Sequence, residues 1–260
     1  MKADIRAFER DGFVRLAGAF PRAVAERCRE RLWRELGLDP ERPSEWTRPM
    51  IRLIGSVEPP FSDACDTPRL GSAWDALVGA GRWRPRIGLG TIPIRFPSEL
   101  DPGDAGWHVD GSFEVNGRLH LNLHSRSRAL LMLFLLSEVG ERDAPTRIRV
   151  GSHLLVPPVL RDAGPEGLAF ERVVERLPGL DHLSIALATG AAGDVFLCHP
   201  FLVHAASWPH RGHTPRFLAQ PGLDPAEPLQ LERADADYSP VERAIRAGLG
   251  RALLFPAEAR

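Results

Sequence analysis

Lysine is nearly absent. Lys2 is the only one, so arginine carries almost all of the positive charge, a compositional bias that says nothing of function. Cysteine is scarce as well. Cys28, Cys65 and Cys198 lie far apart with no CxxC pair, which argues against a disulfide framework or a structural zinc site and fits a reducing cytoplasm. Neither charge sign is in excess: 33 basic against 34 acidic residues leave a formal charge of −1, which argues against nucleic-acid binding through bulk positive charge. No hydrophobic run is long. The longest, Ala129 to Leu136, falls far short of the roughly 20 residues that a membrane span needs, and the charged opening MKADIRAFERDG shows no apolar signal-peptide core. The expectation is a cytoplasmic monomer or homodimer acting on a small molecule, with neither nucleic acid nor membrane as partner.

What is present suffices for a core. Of 260 residues, 43% are hydrophobic and 26% charged, so wholesale disorder is excluded. One domain is expected, since a single barrel can run to about 250 residues. Residues 1–82 read as mostly helical: Ala3 to Arg10, then a brief strand Phe13–Leu16, then a helix from Pro21 to Leu36 with Val24, Cys28, Leu32 and Leu36 on one stripe. Asp39 to Pro68 reads as loop and Leu70 to Val78 as a further helix. Residues 83–222 change texture. Short segments rich in Ile, Val, Leu and Phe, at 87–96, 119–123, 129–139, 147–150, 184–188, 195–198, 203–206 and 216–219, alternate with Gly, Pro and Asp. That pattern predicts a mainly β sandwich or jelly roll. Residues 223–260 form an extension with helical spacing over Val241 to Leu254.

Nine histidines are present, and one spacing among them carries chemistry. Trp107-His108-Val109-Asp110 follows a loop, Pro97 to Ala105. On extended backbone, positions two apart share a face, so His108 and Asp110 can converge on one ion. An HxD triplet arises readily by chance and is weak alone. A third ligand must come from elsewhere. His204 is one choice, and His199 is its rival, separated from it by Pro200. Two imidazoles and a carboxylate leave three positions of an octahedral ion open, which suits non-haem Fe(II) and O2 chemistry. The polar stretch Trp208 to Thr214 is expected to fold as a hairpin loop, setting His204 and Arg216 on adjacent antiparallel strands. Arg216 could then offer a bidentate fork to a dicarboxylate.

Taken together, these segments resemble the phytanoyl-CoA dioxygenase family of Fe(II)/2-oxoglutarate-dependent oxygenases. The likeness lies in Phe8-Glu9-Arg10-Asp11-Gly12-Phe13-Val14, Trp107-His108-Val109-Asp110, Arg147 through Gly151-Ser152-His153, and Gly193-Asp194 through His204 to Arg216, in that order. The resemblance implies a double-stranded β-helix (a cupin-like jelly roll) with helices outside it. It implies His108, Asp110 and His204 as iron ligands, Arg216 as anchor of 2-oxoglutarate, and hydroxylation or a related oxidation of an unactivated C–H bond. The hydroxyl residue expected two after the distal histidine is Ala206, with Ser207 next, so Ser207 is carried as a co-substrate contact, as is Thr91. Arg95, four residues after Thr91 on the same strand face, is carried as a substrate contact, and Trp107 and Phe113 as pocket residues. Arg149 stands where the family has an aliphatic residue. Pointing inward, it would need an acid or an anionic substrate. The pairs Arg126/Arg128 and Arg147/Arg149 otherwise read as solvated faces, His153 as a structural hydrogen-bonder, and His210 and His213 as solvated. Two alternatives stand beside this reading: a cupin-type metalloenzyme that does not use 2-oxoglutarate, and a jelly-roll binding module without catalysis.

Overall fold

The structure is a computed structural model and describes residues 4–251. Ala3, where the first helix was expected to begin, and the last three residues of the helix expected to Leu254 lie outside that range. In chain order the elements are α1 (Ile5–Asp11), β1 (Phe13–Leu16), α2 (Arg22–Leu36), β2 (Met50–Ile54), α3 (Phe61–Cys65), α4 (Pro68–Val78), β3 (Thr91–Arg95), β4 (Phe113–Val115), β5 (Arg118–Leu121), β6 (Leu130–Leu135) and β7 (Arg147–Arg149). They continue with α5 (Val156–Leu160), β8 (Leu168–Ala169), α6 (Phe170–Glu175), β9 (Ile185–Leu187), β10 (Val195–Cys198), β11 (His204–Ala205), β12 (Arg216–Ala219), β13 (Gly222–Leu223) and α7 (Pro240–Arg251).

The strands form a large antiparallel sheet in the order β1-β10-β6-β12-β3-β2, with β13 also on β6, and two three-stranded sheets, β11-β7-β9 and β4-β5-β8. This is a double-stranded β-helix with helices flanking it. Strand β6 shows why. Leu131, Leu133 and Leu135 share one buried cluster with Ile148 of β7, while Leu130, Met132 and Phe134 belong to the cluster that takes in Val24, Cys28 and Leu32 of α2. Both faces are covered, so its sequence is an unbroken apolar run rather than an alternating one. Each such side chain buried contributes about 1.5–3 kcal/mol.

Helix α1 is capped at both ends. Asp4 accepts from the Ala7 amide at 3.1 Å, and Gly12 closes the helix at φ +87°. A Cβ on Gly12 would stand 2.5 Å from Nδ1 of His153, so glycine is required there for both conformation and space. His153 itself is buried, with Nε2 3.2 Å from the Glu9 carbonyl.

Two expectations need correction, and one strand, β4, was not expected. The stretch 39–68 is not all loop, since β2 pairs with β3 along its whole length, from Met50↔Arg95 to Ile54↔Thr91. A hairpin, β4–β5, turns at Asn116-Gly117, both residues at positive φ (50° and 77°) as a two-residue turn demands. Finally, β11 and β12 are not adjacent. His204 lies in the small sheet on β7, and Arg216 in the large sheet between β6 and β3.

Candidate metal and co-substrate site

His108 and His204 face each other across a two-bond backbone bridge. Each amide donates to the other's carbonyl at 2.9 Å, and the ring centroids are 4.4 Å apart. Each ring is held from behind. Nδ1 of His108 lies 2.9 Å from the Gly106 carbonyl, and Nδ1 of His204 lies 3.1 Å from the Leu202 carbonyl. A carbonyl only accepts, so each neutral ring carries its proton on Nδ1 and turns the Nε2 lone pair forward. Oδ1 of Asp110 meets them there, 3.7 Å from Nε2 of His108 and 3.6 Å from Nε2 of His204. These three residues form a cluster able to hold a metal ion, with one donor atom from each within 4.8 Å of the others.

The local electrostatics keep His204 and Asp110 in metal-binding form. Burial holds the His204 imidazole down to about 4, so it is neutral at physiological pH, even though Asp110 pulls the other way. Burial works to raise the Asp110 carboxyl, but Arg128, His204 and His108 together outweigh it and leave it below the ordinary carboxylate range. Imidazole nitrogens and an ionised carboxylate are the donor set that a first-row divalent ion takes. His199, the rival ligand, is fully buried elsewhere: Nε2 lies 3.2 Å from the Val241 carbonyl, and Nδ1 accepts from the Phe201 amide.

A cavity of about 530 Å³ opens beside the cluster, lined by His108 and His204, by Arg95, Asp104 and Arg216, and by Trp107 and Phe170 among others. Arg95 and Arg216 are direct cross-strand partners on β3 and β12, both buried. Two like charges in register repel. Asp104 resolves half of the conflict, with both carboxylate oxygens 2.5–2.6 Å from Nη2 of Arg95. Arg216 donates, through Nη1, to the Ala144 carbonyl. Its Nε is buried without a partner, and among the described residues no acid pairs with it. Burial, with Arg95 alongside, lowers its pKa to about 9. It is a guanidinium in need of an anion.

Not every predicted residue reaches this cavity. Trp107, Arg95 and Arg216 line it; Thr91, Ser207, Phe113 and Arg149 are not among its walls. Thr91 shares a strand face with Pro93 and Arg95, and its carbonyl accepts from Gln220. The Ser207 hydroxyl donates to the Pro145 carbonyl at 2.6 Å. Phe113 sits on the β4–β5 hairpin with the Arg126 guanidinium 4.9 Å from its ring centroid. Arg149 is buried rather than on a solvated face, and it finds internal partners: Nη1 donates to the Leu183 carbonyl and Nη2 contacts Asp181, while the guanidinium lies 4.5 Å from the Trp107 ring and Nε has no hydrogen-bond partner. His210 is not solvated. It is 5% exposed and bridged to Ser98, and burial lowers its pKa.

Two structural arginines were not legible in advance. Arg147 does not lie on a solvated face. Its guanidinium donates to the Ala105 carbonyl at 2.7 Å and the Ala206 carbonyl at 3.0–3.1 Å, and lies 4.8 Å from the Trp107 ring, tying together the segments that carry His108 and His204. Arg128 contacts Asp110. Alternation along β7 puts Arg147 and Arg149 on one face, but only the fold shows that this face meets Trp107 and the ligand segments.

The architecture is a jelly roll, and within it His108, Asp110 and His204 form a histidine–carboxylate cluster able to hold a metal ion. No protein-family model matches the chain, and no curated protein matches it. Solved structures do match. The epimerase SnoN, whose crystal structure holds Fe3+, α-ketoglutarate and nogalamycin RO, is 19% identical, with 83% of this chain and 80% of that one covered at a TM-score of 0.55. HygX from Streptomyces hygroscopicus, solved with nickel, 2-oxoglutarate and hygromycin B, is 19% identical over 90% of this chain and 93% of its own, TM-score 0.55. SnoK, a non-haem α-ketoglutarate-dependent carbocyclase from nogalamycin biosynthesis, is 14% identical over 85% and 82%, TM-score 0.52. At these identities the likeness fixes the fold.

Proposed function

We propose that the protein is an Fe(II)- and 2-oxoglutarate-dependent oxygenase that oxidises a C–H bond of a small organic substrate, in the manner of secondary-metabolism enzymes of this fold. One observation carries the reading: Arg216, a buried guanidinium without an acid partner, lines the same cavity as His108 and His204, beside Asp110. A metalloenzyme that did without a dicarboxylate would gain nothing from leaving that charge unpaired.

His108, Asp110 and His204 would hold the iron. Bound iron supplies the coupling between O2-driven decarboxylation of 2-oxoglutarate, giving succinate and CO2, and oxidation of the substrate. The chain's own part is positional. The Gly106 and Leu202 carbonyls fix the tautomers of the two imidazoles. Arg216 binds the distal carboxylate of 2-oxoglutarate through charge-assisted hydrogen bonds, and Asp104 keeps Arg95 from adding a second uncompensated charge. Trp107, Phe170 and Pro93 give the cavity apolar walls, which exclude water from the reacting carbon.

The test is anaerobic calorimetry with 2-oxoglutarate in the presence of Fe(II), followed by aerobic succinate release across a panel of small substrates. Metal-dependent 2-oxoglutarate binding and substrate-stimulated succinate are the expected results. Metal binding with no affinity for 2-oxoglutarate would replace this reading with the cupin-type one.

A further inference from the structure

The contact between Arg128 and Asp110 goes beyond holding the fold. The two oxygens of Asp110 face different neighbours. Oδ1 faces Nε2 of both histidines, at 3.7 and 3.6 Å, whereas Oδ2 lies 3.3 Å from Nη1 of Arg128. Arg128 also donates through Nε to the carbonyl of Gly111, the next residue, at 3.3 Å. One guanidinium thus stands against the carboxylate as an ion pair, without a hydrogen bond, and hydrogen-bonds the backbone just beyond it.

Arg128 is itself fixed. Its amide donates to the Ser125 carbonyl and its carbonyl accepts from the Ser125 hydroxyl. Its guanidinium passes over Gly222 on β13, where a Cβ would stand 2.9 Å from Nη1. The side chains of Arg128 and Asp110 are only 20% and 26% exposed, so this is no solvated surface pair.

A count of coordination positions gives the contact its meaning. An octahedral ion has six. Two imidazoles and one carboxylate oxygen take three, and a chelating keto acid takes two more, leaving one. If both oxygens of Asp110 closed on the ion, none would be left.

Resting on the function proposed above, we propose that Arg128 is a positioning residue of the metal centre: by occupying Oδ2 it turns the carboxylate so that Oδ1 alone is offered to the ion. The pair thereby sets how many positions the protein takes.

The experiment uses the full chain with Co(II) as a spectroscopic probe, and compares wild type with Arg128→Gln, Arg128→Lys and Gly222→Ala. The last variant displaces the guanidinium while keeping its charge. Thermal melts establish that each variant is folded before it is read. Arg128→Gln should weaken Co(II) about 10- to 100-fold, the usual cost of losing an outer partner of a ligand, and change the visible Co(II) absorption that reports coordination number. Gly222→Ala should move affinity and spectrum in the same direction by less, and Arg128→Lys should restore part of both. Were Arg128→Gln to fail the melt, Gly222→Ala and Arg128→Lys would carry the test. Wild type that binds Co(II), with folded variants that match it in affinity and spectrum, would overturn the proposal alone. Wild type that binds no metal would overturn the metal reading and this proposal with it.

Discussion

The two sheets that flank the cavity treat charge in opposite ways. On the small sheet, β7 presents Arg147 and Arg149, and the terminal nitrogens of both are engaged: the Ala105, Ala206 and Leu183 carbonyls, Asp181 and the Trp107 ring take them up, although Nε of Arg149 has no hydrogen-bond partner. On the large sheet, Arg95 and Arg216 stand opposite each other, Asp104 pairs with Arg95, and among the described residues no acid lies at ion-pair distance from Arg216. Of these four strand arginines, Arg147 is held by carbonyls and Arg95 and Arg149 each meet an acid, whereas Arg216 meets none among the described residues, which is the ground of its proposed role. Position alone does not make an arginine a binding residue. What distinguishes Arg216 is the accounting of its partners.

That comparison breaks most severely at the metal. His204→Ala should reduce Fe(II) affinity by more than about 100-fold, beyond the loss of an outer partner, whereas His199→Ala should keep the metal, since His199 is occupied with Val241 and Phe201. Anaerobic Fe(II) titration of the pair decides it. A His199 variant that alone lost iron would move the third ligand.

Next in size is the unpaired arginine. Arg216→Leu should cost roughly 2–5 kcal/mol of 2-oxoglutarate affinity, on the order of 30- to several-thousand-fold in apparent KM. Lysine should restore little, because it cannot form a bidentate fork. Steady-state kinetics in 2-oxoglutarate read both, and an unchanged KM in the leucine variant would remove the difference between the two sheets.

The scaffold arginines sharpen the contrast. Arg147→Gln loosens both ligand-bearing segments at once, so metal affinity should fall about tenfold with little change in the apparent KM for 2-oxoglutarate. Arg149→Ala should be milder. It removes a cation–π contact worth about 0.5–2 kcal/mol and should lower Tm by a few degrees while leaving substrate KM within a few-fold. A large KM effect from Arg149→Ala would restore the inward-facing, anion-binding role for that residue.

The smallest expected effect concerns acid stability. Burial, with His153 beside it, holds His199 well below its ordinary value. The unfolded chain takes up a proton on His199 around pH 6.5, whereas the folded chain resists until well below. Stability is therefore full above about pH 6.5 and is lost as pH falls toward the folded value. His199→Phe should flatten that part of a Tm-against-pH curve, and an unaltered slope would assign the acid loss to other groups.

Much of this protein is legible in its residues. The apolar run 129–136 could only be a strand covered on both faces or a buried helix, and its neighbours made it a strand. Val24, Cys28 and Leu32 announced a packed helix, and all three are buried. The HxD triplet, a late histidine and a later arginine were visible because ligand chemistry restricts residue type and short spacing together. What sequence could not show depends on partners distant along the chain. β2 looks like loop until β3 lies beside it, because pairing rather than propensity makes an edge strand. His204 and Arg216 looked like hairpin neighbours, yet they belong to opposite sheets of one barrel, which brings them to a common cavity without making them adjacent. The sequence singled out Arg216 among 33 basic residues by its spacing from His204, but not by its partners. That Arg216 has no acid at ion-pair distance among the described residues, while Asp104, Asp110 and Asp181 reach Arg95, Arg128 and Arg149, is decided only once the chain has folded.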